Sequence, residues 1–192
     1  MRVAVRFAGA ALLLGGALSV WGGCAAPRPA PGAPAAAGEG AAPAHVIPGV
    51  PFLPQEEDSC GPSSLAMLLR FHGKDVTTGE LVAETRTAGL RGTLITDLAA
   101  ASRRRGVPAE VASLDMAALR ERIAGGQPVI LLVDLGVWAW SRPHYLLAYG
   151  VTPEGVVANS GETEGKVIPY GTLEAQWAKM GHLAIVVTGG GT

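Results

Sequence analysis

The chain has 192 residues, 48% of them apolar and 16% charged, which supplies one buried core and excludes a disordered chain or a coiled coil. Fifteen Lys and Arg against sixteen Asp and Glu leave a net charge of −1, without the basic excess that a nucleic-acid partner requires. The two cysteines, Cys24 and Cys60, allow one disulfide at most and exclude a disulfide-stapled miniprotein.

Arg2 and Arg6 precede an apolar run from Phe7 to Gly23. That run is shorter than the roughly 20 residues needed to cross a bilayer, and its flanks are those of a secretory signal. The string Leu18-Ser19-Val20-Trp21-Gly22-Gly23-Cys24 resembles a bacterial lipobox, in which the cysteine is lipidated and becomes the new N-terminus. Trp21 departs from it, since a smaller aliphatic residue is usual there. The expectation is a lipoprotein signal peptide over 1–24 with Cys24 lipidated, and the alternative is an ordinary cleaved signal or an uncleaved anchor. Residues 25–44 hold ten Ala, five Pro and three Gly, cannot bury a face, and read as an Ala/Pro-rich linker. A globular domain is then expected over 45–192, in the cell envelope, tethered on the periplasmic or extracytoplasmic face of a membrane.

Within that domain Val46 to Leu53 is punctuated by Pro and reads as extended. Asp58-Ser59-Cys60-Gly61-Pro62 opens a helix, because Pro is tolerated in a first turn where its missing N–H costs nothing. Leu65, Leu68 and Leu69 form its apolar face, and Gly73 stops it. Thr77-Thr78-Gly79-Glu80 matches a capping box and starts a second helix to about Thr85. Thr93 is expected to cap a third, ending in Arg103-Arg104-Arg105, cations that suit a helix C-terminus. A strand over Val107–Ala112, a helix over Asp115–Ala124 and strand-length apolar runs over Pro128–Leu135 and His144–Val151 follow. Thr152-Pro153-Glu154-Gly155 has turn chemistry. Short strands at Val156–Asn159 and Lys166–Pro169, a helix over Leu173–Met180 and a strand over Leu183–Val187 complete the chain. Helices fill the first half and strands the second, which predicts an α+β fold with a mostly antiparallel sheet.

The chemistry centres on Cys60. Unpaired N–H groups and the dipole at a helix N-terminus favour a thiolate, a nucleophile towards carbonyl carbon. The competing reading is a small buried hydrophobe, against which stand Gly61-Pro62 and the polar residues 55–59. Among His45, His72, His144 and His182, the strongest base candidate is His144, which starts an apolar strand after a Trp-rich loop and so lies at a sheet rim. His182 has no evident partner. Trp138 and Trp140 either wall a substrate cleft or pack on the sheet. No glycine-rich phosphate loop and no pair of histidines at metal-ligand spacing is present, so neither a nucleotide nor a metal cofactor is expected.

The string from Gln55 through Cys60-Gly61-Pro62 to Met67, with Pro143-His144-Tyr145 and Ala158-Asn159-Ser160-Gly161 downstream, resembles the bacteriocin-processing (double-glycine) cysteine peptidases of the papain-like clan. The resemblance covers most of 48–188. It implies a papain-like fold, N-terminal helices packed on a C-terminal sheet, that cleaves peptide bonds with Cys60 as nucleophile and His144 as base and then acid. Gln55 would lend an oxyanion donor beside the Cys60 N–H, at a spacing one residue shorter than the family's. Asn159 would orient His144, where the family generally has Asp. A symmetric 152–155 turn pairs Asn159 with Ala148, so a bulge or a turn centred one to two residues earlier is needed to bring it alongside His144, and Ser160 or Glu162 are the alternatives. The expected partners are a peptide or protein substrate, the membrane through the N-terminal lipid, and separate export machinery. Two other readings remain: a non-catalytic peptide- or leader-binding module of the same fold, and an acyl or peptidyl transferase using the same cysteine.

Overall fold

The computed structural model describes residues 44–55, 58–87, 89, 92–138 and 140–189. The expected signal peptide, Cys24 and all of the linker but its last residue lie outside them. The elements in chain order are β1 (His45–Val46), α1 (Cys60–Phe71), α2 (Thr78–Thr85), α3 (Ile95–Arg104), β2 (Ala109–Ser113), α4 (Met116–Ala124), β3 (Val129–Asp134), β4 (Pro143–Val151), β5 (Gly155–Ser160), β6 (Thr163–Pro169), α5 (Tyr170–Ala178) and β7 (Leu183–Val187). Among the described residues this is an α+β fold of five helices and one seven-stranded sheet.

Local chemistry sets most of the boundaries. At α2 the Thr77 side chain accepts from the Glu80 N–H while Glu80 reaches back to the Thr77 N–H, closing the capping box. Asp115 caps α4 through the Ala118 N–H at 2.7 Å. The cap expected at Thr93 does not form. Helix α3 begins one residue later, with Leu94 in the cap position and no side-chain cap. Thr93 is drawn instead into tertiary contacts: its carbonyl accepts from the Tyr145 hydroxyl at 3.0 Å, and its hydroxyl meets that of Thr85. Helix α5 starts at Tyr170, three residues before the apolar pattern begins. Arg104 and Arg105 both grip Glu84, tying the end of α3 to α2.

Every strand pair is antiparallel, in the order β2-β7-β3-β4-β5-β6, with β1 paired to the far end of β4. Successive residues of a strand point to opposite faces, and β3 shows both uses. Ile130 and Leu132 pack in one cluster with Leu65, Leu69, Leu81 and Leu98 of α1–α3, while Val129, Leu131 and Val133 pack with Leu119, Ile123 and Trp177 of α4 and α5. Helices therefore cover both faces, so β3 is buried along its whole length.

One irregularity matters for the site. The β4–β5 register runs Leu147↔Asn159 and Ala148↔Ala158, then jumps to Gly150↔Val157. Tyr149 is the extra residue, a bulge that flips the alternation. Leu146 and Ala148 face the α4/α5 cluster before it, and Tyr149 and Val151 after it. Among the described residues no helix is long and apolar enough to cross a membrane.

Candidate active site

Cys60 is the first residue of α1, free and half-buried, with Ser59 as cap. The first N–H groups of a helix have no partner within it, which favours an anion at that end. Gly61 lets the helix tip come close to β4. A Cβ built there would meet the Leu98 Cδ1 at 3.0 Å and the Tyr145 ring at 3.1 Å. Tyr145 follows His144 directly, so the contact seats the helix tip on the strand that carries the candidate base. Burial, with the nearby Cys60 and Asp97, pushes the Tyr145 hydroxyl above its ordinary range and keeps it a neutral donor to Thr93.

Gln55 is buried and joins the pieces. Its Nε2 donates to the Ser64 hydroxyl at 3.0 Å and lies 3.5 Å from the carbonyl oxygens of both Cys60 and Tyr145. Those two oxygens are consequently no more than 7 Å apart. Its Oε1 accepts from the Gly161 N–H at 2.8 Å, and its own N–H donates to the Gly161 carbonyl at 3.0 Å. Gln55 thus bolts the start of α1 to the β5–β6 turn. One amide hydrogen is committed to Ser64, while the other faces only the two long carbonyl contacts.

His144 is the second residue of β4, opposite Val133. Burial is the main cause that pulls its imidazole down to about 4, with the Arg142 and Lys166 cations adding to it. The ring is therefore neutral at pH 7. Its Nε2 lies 3.1 Å from the Ser160 hydroxyl, which leaves Nδ1 as the nitrogen without that contact.

Asn159 is not brought to His144. The bulge moves its pairing from the Ala148 of a symmetric turn to Leu147, a shift of only one residue. A single step along a pleated strand reverses the face, so Asn159 points under α1 and Ser160 points to the ring. The Asn159 amide is wholly buried, donating to the Pro51 carbonyl at 3.1 Å and touching the Met67 sulfur, while its Oδ1 accepts from the Gly165 N–H at 3.1 Å. Ser160 takes the position expected for Asn159. Glu162 is exposed in the turn beyond.

The loop before His144 is braced at its base. Asp134 Oδ1 accepts from the N–H groups of Gly136 and Arg142, both at 2.7 Å, and these bonds hold its carboxyl below the usual carboxylate range. Leu135 N–H donates to Arg142, and the Lys179 amine to the Gly136 carbonyl. Val137, Trp138 and Trp140 project from this frame, 69%, 103% and 81% exposed. The two tryptophans do not pack on the sheet. The Asp134 lock and the Ser64 contact escape the sequence reading. An Asp followed two residues on by Gly is a turn signal that marks the first, whereas nothing local announces the second. His182, which the sequence leaves without a partner, bonds Glu174 at 2.8 Å. Among the described residues no group of His, Cys, Asp and Glu is arranged to hold a metal ion.

The geometry invites comparison with known proteins. The chain is similar in structure to a C39-like peptidase of Bacillus anthracis, with a TM-score of 0.64 and 19% identity over 78% of this chain and 99% of that one. It is also similar to a double-glycine motif protease from an AMS/PCAT transporter, solved with its leader peptide (0.61, 20% identity, 75% and 95% coverage). A third similar structure is the peptidase domain of Streptococcus ComA, a bifunctional ABC transporter of a quorum-sensing pathway (0.61, 19%, 73% and 99%). At such identity these likenesses show a shared fold. No curated protein matches the chain. The peptidase C39 family model matches residues 51–187, a span that holds Gln55, Cys60, His144 and Ser160. The chain belongs to the peptidase C39 family and is a cysteine-type peptidase.

Proposed function

We propose that this protein hydrolyses peptide bonds with the Cys60 sulfur as nucleophile and His144 as proton carrier. The observation that supports this reading is the convergence on Gln55: one amide nitrogen within 3.5 Å of both the Cys60 and Tyr145 carbonyls, with a neutral imidazole on the adjoining residue. In the reaction the sulfur bonds to the scissile carbonyl carbon while the thiol proton passes to the imidazole. The Cys60 N–H receives the oxyanion, and the Gln55 amide hydrogen not committed to Ser64 joins it. Such donors are worth about 3–4 kcal/mol each. The imidazolium returns the proton to the leaving amine, and water activated by the same ring then releases the acyl group.

The substrate is a peptide, as the leader peptide bound to the double-glycine motif protease suggests. The N-terminal segment, with Arg2, Arg6, the apolar run and the lipobox-like string ending at Cys24, supports a lipid tether. On this reading 1–24 is removed or anchored, 25–44 spaces the domain, and 45–192 works at the extracytoplasmic face beside separate export machinery. A digest of a peptide library by the wild type beside Cys60→Ser tests the chemistry. Cleavage is expected from the wild type alone; equal cleavage removes Cys60 as nucleophile, and none from either favours the binding module. An amine acceptor added to the digest separates hydrolysis from transfer. Metabolic labelling with a fatty acid is expected to mark the wild type and not Cys24→Ala, and equal labelling refutes the tether.

A further inference from the structure

We propose that Ser160 is a positioning residue that holds the His144 ring as its Nε2–H tautomer through a neutral hydroxyl, so that the base works without a carboxylate partner. This deepens the peptidase reading and rests on it only for the step in which Nδ1 takes the Cys60 proton.

The contact is direct, 3.1 Å between Nε2 and the Ser160 oxygen. A neutral imidazole carries its proton on one nitrogen and a lone pair on the other. If Nε2–H donates to Ser160, the Nδ1 lone pair is free to receive a thiol proton. If the hydroxyl donates instead, Nδ1 holds the hydrogen and the ring cannot act as a base there. Only the first arrangement is productive.

The surroundings explain why a hydroxyl serves where a carboxylate would change the chemistry. The charges bearing on the ring are Arg142, just before β4, and Lys166 on β6, both cations. On β3, the strand paired with β4, Asp134 is committed to the Gly136 and Arg142 amides. Cys60 on α1 meets the neighbouring Tyr145, and Glu162 lies exposed beyond Ser160. Burial and two cations thus oppose an imidazolium, and among the described residues no carboxylate is hydrogen-bonded to the ring. A hydroxyl supplies orientation without adding charge, and the ring enters the reaction neutral. A carboxylate in its place would favour the charged form.

The test uses ¹⁵N-labelled full-length protein, with the His144 signals assigned by their loss in His144→Gln. At pH 7 the wild type is expected to show a protonated Nε2 and an unprotonated Nδ1. Ser160→Ala should give shifts averaged over both tautomers, with kcat/KM lowered on the order of tenfold to a hundredfold, the range found when the partner orienting a metal-ligating histidine is removed. Ser160→Thr keeps the hydroxyl on a strand and should restore both the pattern and the rate. Ser160→Asp should raise the His144 titration midpoint by about one unit or more and carry the acidic limb of the kcat/KM profile upward with it. A protonated Nδ1 in the wild type, or Ser160→Ala with unaltered tautomer and rate, overturns the proposal. The tautomer pattern does not depend on Cys60. Cleavage surviving in Cys60→Ser would end the peptidase mechanism and leave the positioning role standing.

Discussion

Asn159 and Ser160 are neighbours whose side chains do unrelated work, because a pleated strand sends adjacent residues to opposite faces. Asn159 is a structural amide that satisfies the Pro51 carbonyl and the Gly165 N–H inside the core. Replacing it with Ala orphans both groups, and each unsatisfied buried partner costs about 1–3 kcal/mol. Asn159→Ala is therefore expected to lower the denaturant midpoint clearly while the folded fraction keeps kcat/KM within a few-fold of wild type. A large loss of kcat/KM at an unchanged midpoint would return the orienting role to Asn159. Gly61 is a second residue whose identity follows from space, since a Cβ there would press on the Leu98 Cδ1 at 3.0 Å and the Tyr145 ring at 3.1 Å, and those side chains would have to give way.

At the scale of elements, the site is a meeting of one helix start, one strand start and one turn. The Tyr149 bulge sets Asn159 opposite Leu147 instead of Ala148, and so decides which face of the sheet each end residue of β5 takes. Gln55, from the segment before α1, holds the β5–β6 turn by two hydrogen bonds and the helix by a third. Asp134 does the same for the loop between β3 and β4, locking both its ends to one carboxylate oxygen. Val137, Trp138 and Trp140 are thereby held outward from a rigid base. That frame positions His144, which lies two residues past the lock.

Across the whole molecule, two histidines are held neutral by their surroundings. Burial, then Lys74, lowers His72, and burial with two cations brings His144 from its ordinary 6.5 to about 4. The unfolded chain takes up these protons at higher pH than the folded one. Stability is therefore complete above about pH 6.5 and is lost as pH falls towards 4, with His144 contributing at most about 3 kcal/mol. Denaturant midpoints at pH 7 and 4.5 should differ less in His144→Gln than in the wild type. An equal drop in both would show that His144 is not buried as a neutral ring.

The sequence by itself determined what depends on neighbours along the chain. Gly61-Pro62 and Gly73 mark the ends of α1, Thr77 with Glu80 caps α2, and the apolar runs locate β3, β4 and β7. The ordered string of Gln55, Cys60-Gly61-Pro62 and His144 was enough to show the family resemblance. Tertiary structure alone decided the rest. Thr93 does not cap α3: its hydroxyl meets Thr85, and its carbonyl accepts from Tyr145, fifty-two positions away. Ser160 rather than Asn159 met His144, because a bulge in β4 set the register and the pleat set the face. The Gln55 amide found Ser64, and two tryptophans that could have packed on the sheet were left in solvent. Capping and periodicity act within a turn or a pleat, whereas register and burial are fixed by strands and helices distant in the chain, whose pairing no local pattern encodes.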